Sequence, residues 1–449
     1  MIRSDSFFSS KKNQNLANPI LKIHQSIFYL LVILILLFLS CSPTKRFTEK
    51  EGGTVKTEKD ITPSETSTEN VAETKLDFSV IRVSMQGVID SDIILLESQV
   101  SLFDEQKKLA MLESGSYINC FNKSSQVGII TDEGDFTANK FLLRPTNTTG
   151  VTELNGKRYR GEIQISVSGS SIDIINVLNL EDYVKGVLSK EMPLGKNEEN
   201  LEALKALAVC VRTYAIQKMN DGKLYFDIFA DTRDQVYGGV DAEQPVSNKA
   251  ADETRDMILK YDDEFATVFY HSTCGGYTAS AQNVFTSEEI PYLVSVQDGS
   301  GPNCIISPRF EWEETYTREK IIERLKNYSL LDNKYYILED ISVLSRFSSG
   351  RVNELEIVVE DENGEEKIIA LLGNEIRSVL RTANNKSILW STLFDLELNS
   401  YEVFISGKGF GHGVGMCQWG AINLSQNGWD YDQILELYYP GTEIRSLND

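Results

Sequence analysis

The segment from Leu180 to Pro193, LEDYVKGVLSKEMP, holds the side chain whose type and place read most directly as chemistry. At 100° per residue, Leu180, Val184, Val187 and Leu188 form an apolar stripe, and Glu191 falls inside it. Glu181, Asp182 and Lys185 lie off the stripe and read as solvated. Pro193 stops the helix, which leaves Glu191 in the last turn, at the negative end of the helix dipole. Desolvation and the dipole both favour the neutral carboxyl and raise its pKa. A carboxylic acid still protonated near neutral pH is what a general acid for glycosidic cleavage needs. The helix alone also fits a glutamate at a frayed end that turns to water or pairs with Arg212.

A second group of residues lies in SGKGFGHGVGMCQWGA, where Gly407, Gly409, Gly411, Gly413 and Gly415 recur at every second position. On an extended chain this period bares one face of the backbone for close approach by a strand or a ligand. No Gly-Lys-Ser/Thr follows, so a phosphate-binding loop is not supported. His412, Gln418 and Trp419 punctuate the run, and an amide beside an aromatic plane suits a sugar as well as it suits core packing. His271-Ser-Thr-Cys-Gly-Gly supplies another histidine. His271, Cys274, His412 and Cys417 lack the spacing of a zinc knuckle or of HExxH, so no metal site is expected from them. A disulfide between Cys274 and Cys304 suits an exported chain better. A serine nucleophile is not supported, because there is no G-x-S-x-G elbow.

These residues need elements to hold them. GEIQISV from Gly161 and IDIINV from Ile172 read as a hairpin turning at Ser168-Gly169-Ser170. Two helices follow, over 180–192 and 198–219. The second carries Leu201, Leu204, Ala208, Val211 and Ala215 at helical spacing, with small residues that allow close packing. Arg212 and Tyr214 sit in it, placed either to orient a sugar near Glu191 or to cap the packing. Short alternating runs make 76–155 a small β-rich accessory unit. Strands near 265–271, a mixed segment over 305–400 and C-terminal helices complete the chain. Hairpins mixed with helices predict an α+β fold rather than a doubly wound sheet.

The chain has 449 residues, with Lys plus Arg 44 against Asp plus Glu 66, a net charge of −22. That balance has no general attraction for polyanions, so a nucleic-acid partner is not expected. Six cysteines are too sparse for a disulfide scaffold, and three histidines, His24, His271 and His412, exclude most histidine-rich metal enzymes. Residues Ile27–Leu39 are an unbroken apolar run, about 20 Å long as a helix and short of the ~30 Å membrane core. Arg3, Lys11, Lys12 and Lys22 precede it and Ser40-Cys41 closes it, which is the layout of a signal peptide over 1–41, an uncleaved signal anchor being the alternative. The cysteine after the cut resembles a bacterial lipobox, with Cys41 as the lipid-modified residue and a membrane anchor. Residues 42–75 are rich in Thr, Glu and Lys and read as a disordered tether.

The order of the pieces is more specific than any one of them. Tyr159-Arg-Gly, NLEDYVKGVLSKEMP, EALKALAVCVRTYA, DTRDQVYGGV, FYHSTCGGYTASAQNVF, PYLVSVQD, GKGFGHGVGMCQWGA and ILELYYPGTEI follow one another in register. Over about 156–447 this series resembles the SpoIID/LytB family of cell-wall proteins, the stage II sporulation protein D and amidase-enhancer group. The resemblance implies a lytic transglycosylase that cleaves the MurNAc–GlcNAc bond of peptidoglycan glycan strands and leaves 1,6-anhydro ends. The sporulation enzymes prefer strands without stem peptides. The family's single catalytic acid falls on Glu191, which would protonate the leaving oxygen and then take the C6 hydroxyl proton. No second carboxylate is then needed to activate water, unlike in hydrolases. By the same match Arg212, Tyr214, Gln235, Tyr237, Ser272, Gly276, His412 and Gln418 would line the glycan groove. The family's other name implies a different role, a non-catalytic glycan binder that enhances a partner N-acetylmuramoyl-L-alanine amidase. Some members bind zinc through a His and two Cys just after the RTYA helix. Here that stretch, KMNDGKLYFDIFADTRDQVYGG, has neither, so no metal or other cofactor is expected, nor is a sporulation role implied. The expected place is the cell envelope, facing the periplasm or wall.

Overall fold

The computed structural model describes residues 78–448, apart from 87, 88, 90–92, 148, 223, 224 and 287. The expected signal peptide over 1–41, with Cys41, and the expected tether over 42–75 lie outside the described residues. The rest is α+β, with seven α-helices among the described residues and strands in several separate sheets. The helices are α1 (Leu180–Glu191), α2 (Leu201–Asn220), α3 (Pro245–Glu253), α4 (Arg318–Asn327), α5 (Glu375–Leu380), α6 (Gln418–Gln426) and α7 (Tyr431–Tyr438).

The largest sheet has seven strands, in the order Ile228–Phe229, Val80–Ser84, Ser171–Asn179, Glu162–Ser168, Lys140–Pro145, Val100–Asp104 and Lys107–Leu112. It draws strands from both sides of residue 155. The expected hairpin is present, with Ser168 opposite Ser171 and a two-residue turn at Gly169-Ser170. A four-stranded sheet over 93–138 packs into the same core. That core also takes α1, α2, α6 and α7, with α2 contributing a nearly continuous buried run from Ala203 to Val211. Each Leu or Val so enclosed is worth about 1.5–3 kcal/mol against exposure.

The segment over 305–400 builds a second hydrophobic core of its own, from Trp312 to Ile405. Its strands Tyr336–Arg346, Val352–Asp361 and Glu366–Leu372 form an antiparallel sheet beside α4 and α5.

The glycine run departs from the sequence reading. Gly409, Gly411, Gly413 and Gly415 all have positive φ, between 69° and 114°, so the run is a looped ribbon and not a flat strand with one bare face. The close approach is nevertheless present, and its partner is the segment 269–274. A Cβ on Gly415 would overlap the Phe269 carbonyl oxygen, and one on Gly409 would come within 2.6 Å of the Thr273 carbonyl oxygen. The run ends in the pair Met416–Cys417, parallel to Tyr270–His271, and α6 begins at the next residue.

Candidate functional site

Helix α1 begins at Asn179, whose side chain accepts the Glu181 N–H at 2.9 Å, with Glu181 and Asp182 suited to the positive end of its first turn. It ends at Glu191 because Met192 is extended and Pro193 follows. Three other pieces converge on the Glu191 carboxyl. The loop after α2 supplies the Val236 N–H, which donates to Oε1 at 2.8 Å. That loop is fixed to α1 by the Gly238 N–H on the Gly186 carbonyl at 2.9 Å. The start of α6 supplies the Gln418 amide, and the strand at 270–271 supplies Tyr270.

Burial pushes the Glu191 carboxyl above the usual carboxylate range, while the Val236 N–H and the Gln418 amide pull it part of the way back. No second carboxylate is among the groups acting on it. Gln235 accepts the Tyr183 hydroxyl at 3.0 Å. The Gln235 amide nitrogen and the Tyr270 hydroxyl are fully enclosed and face each other, the amide acting on the hydroxyl as a hydrogen-bond partner. A half-buried acid is thus surrounded by neutral polar groups.

Of the residues expected at a groove, the structure gathers Gln235 and Gln418 around Glu191 and sends several others elsewhere. Arg212 is 0 % exposed and forms a two-pronged pair with Glu181, at 2.7 and 2.8 Å, and a third bond to the Met257 carbonyl. Glu181, read as solvated, is 5 % exposed, which corrects that expectation. The reason is that α1 is enclosed by the sheet, α2 and α3 together, so its buried face is wider than one stripe. It also answers the alternative for Glu191, since Arg212 is already engaged. Tyr237 is packed under Gly186 and donates to Asn176 at 2.9 Å, within the core. Tyr214 donates to Asp234 at 2.6 Å.

His412 lies on the other side of the strand. Successive side chains alternate there, so Tyr270 faces Glu191 while Phe269 and His271 face His412. The His412 Nε2 donates to the Tyr270 carbonyl at 2.9 Å and its Nδ1 accepts the Val414 N–H at 3.1 Å, the neutral tautomer. Burial, together with nearby Arg377, lowers its pKa to about 3. Ser272 is half-buried, and its carbonyl accepts the Trp419 N–H. Gly276 is buried at φ 118° and its N–H points at the Cys274 sulfur. Cys274 and Cys304, expected as a disulfide, stand as thiols with sulfurs 3.4 Å apart. Sequence reasoning missed Tyr183, Tyr270 and Asp298. The signal for Tyr270 was its place next to His271 in a strand of period two.

Comparison with known proteins fits this geometry. Residues 168–261 match the family described as Stage II sporulation protein, SpoIID. An uncharacterized protein of Brachyspira hyodysenteriae is 35% identical over 298 residues, 66% of this chain and 74% of that protein. The chain belongs to the SpoIID family. A relative named amidase enhancer, from Bacillus subtilis, is 30% identical over 69% of this chain but only 47% of its own length. The stage II sporulation protein D of the same organism is 28% identical over 63% of this chain and 79% of its own. Residues 296–415 match a domain of unknown function, DUF8618, which takes in the second hydrophobic core.

Proposed function

We propose that this SpoIID protein is a peptidoglycan lytic transglycosylase in which Glu191 serves as acid and then as base. The observation that carries the reading is the half-buried Glu191 carboxyl, raised in pKa by desolvation with no second carboxylate among the groups that act on it. As the acid it gives its proton to the glycosidic oxygen, and the MurNAc C1–O bond breaks. As the carboxylate it then takes the proton of the C6 hydroxyl while that oxygen closes on C1. Both steps use one group and consume no water, so a second carboxylate has no task. The Val236 N–H supports the anionic stage, and the Gln418 amide can donate to the carboxylate or accept from the acid. Gln235 and Tyr270, enclosed beside the acid, hold the Glu191 surroundings neutral. The chain would work in the cell envelope, exported by 1–41 and held through a lipid on Cys41.

The amidase-enhancer name of one relative supports a second reading, a glycan binder that stimulates an N-acetylmuramoyl-L-alanine amidase. Glu191→Gln separates the two. On purified peptide-free glycan strands the transglycosylase reading expects cleavage by the native chain, none by the variant, and equal strand binding by both. Stimulation of an added amidase that survives Glu191→Gln, with no cleavage by either protein, would favour the enhancer.

A further inference from the structure

At the root of the 305–400 module, far along the chain from Glu191, three thiols and a carboxylate meet. The Sγ atoms of Cys274, Cys304 and Cys417 and a carboxylate oxygen of Asp298 all lie within 4.8 Å of one another, and all four residues are buried. We infer that Cys274, Cys304, Cys417 and Asp298 hold a single thiophilic divalent cation, zinc by the chemistry of the donors, as a structural tie between the inserted module and the main core.

The spacing suits one ion. Four ligands at about 2.3 Å in a tetrahedron put neighbouring sulfurs about 3.8 Å apart. Here Cys274 Sγ is 3.4 Å from Cys304 Sγ and 3.2 Å from Asp298 Oδ2. Three thiolates with one oxygen are soft donors that favour zinc over magnesium or calcium. All four positions are filled by protein, the closed arrangement of a structural site.

The surroundings are those of ligands held in place. Cys274 Sγ accepts the Gly276 N–H at 3.3 Å. Cys417 Sγ accepts the Cys274 N–H at 3.2 Å and, at the start of α6, the Gly420 N–H at 3.4 Å. Such bonds favour the thiolate, as does the positive end of a helix. Tyr438 donates to Asp298 Oδ1 at 2.6 Å and so turns Oδ2 toward the sulfurs. Gly420 makes room for this, since a Cβ there would collide with the Tyr438 hydroxyl.

Arg351 is the independent sign of negative charge. It is 1 % exposed, its Nη2 donates to the Cys274 carbonyl at 2.8 Å, and its Nε and Nη1 have no partner within hydrogen-bond distance. A guanidinium so deeply enclosed needs a nearby anion, and the group it touches belongs to the ligand Cys274. Arg351 comes from the inserted module, and the four ligands come from the segments flanking it. A Cys274–Cys304 disulfide would engage only two of these groups and would leave Arg351 facing neutral sulfur.

The test uses the full chain, produced with zinc in the medium and purified without chelator or reductant. Metal is counted by plasma mass spectrometry and thiols by titration in denaturant. The expected result is one zinc per chain with Cys274, Cys304 and Cys417 all titrating as thiols. Exchange into cobalt should give thiolate-to-cobalt charge transfer and the visible bands of a tetrahedral ion. Tyr438→Phe keeps the four ligands and should weaken zinc retention against a chelator roughly 10- to 100-fold. Cys417→Ser should abolish it. If Cys417→Ser does not fold, Tyr438→Phe decides. A folded chain with Cys274 joined to Cys304 and no metal would overturn the inference, as would free thiols that give no cobalt spectrum.

Discussion

Burial raises the Glu191 carboxyl above the usual carboxylate range, and the end of its helix sets where that carboxyl lies. One more turn would carry it away from Val236 and Gln418, and a solvated position would return its pKa to the usual range. If the protonated carboxyl starts the reaction, release of anhydro fragments falls as pH rises through this raised pKa. Gln418 opposes the rise, so Gln418→Leu should move the descending limb to higher pH while lowering the maximum rate; a pH–rate profile of both proteins measures it. The same shift has a cost in stability. With the folded-state pKa above the unfolded one, the fold loses stability as pH climbs from the unfolded value through the folded value and gains nothing back above it. Glu191→Gln can still accept the Val236 N–H, so it should melt higher than the native chain at neutral pH and equal to it below the unfolded pKa. Thermal unfolding across pH checks this. The burial of this carboxyl was legible because a charged residue on an apolar stripe is visible in one helix, whereas its proposed role came only with the family resemblance. Of its neutral partners, Gln235 and Gln418 came only through the family resemblance and Tyr270 was missed, since the three reach it from distant segments.

At the scale of elements, the helices and the glycine run show different limits of the sequence. Both helices over 180–220 and the hairpin before them follow from period and turn residues alone. The pair Glu181–Arg212, which locks α1 to α2, does not, because a helix enclosed on several sides hides which charges have partners 31 positions away. Arg212→Leu strands the buried Glu181 and should cost about 3–5 kcal/mol in denaturant unfolding. Adding Glu181→Leu should recover much of that loss. The glycines at every second position announced a close backbone approach but not its left-handed geometry. Gly415→Ala meets both an overlap and a positive φ, whereas Gly428→Ala, at φ 85° with nothing within 4 Å, meets only the second. The first should lose well over the ~1–2 kcal/mol expected of the second, as read by equilibrium unfolding.

For the molecule as a whole, composition and order gave the fold class and the family, while strand partnership needed the structure. Residues 80–145 supply four strands of the seven-stranded sheet, and two of them flank the hairpin that leads into α1. A chain starting at residue 156 would therefore bare both faces of that hairpin's edges and should show no cooperative melt, whereas one starting at Thr74 should keep it. The separate core over 312–405 was legible as an inserted segment, and its fastening through Arg351 and the cysteines was not, because those residues are scattered from 274 to 417.

The central claim is that one carboxyl cleaves the glycan without adding water. Its most direct test is mass spectrometry of products from peptide-free strands digested by the full chain in oxygen-18 water. The account predicts new ends that are lighter than reducing ends by one water, carry no heavy oxygen and are absent with Glu191→Gln. Reducing ends labelled with oxygen-18 would contradict it, because they would require an activated water and a base other than Glu191.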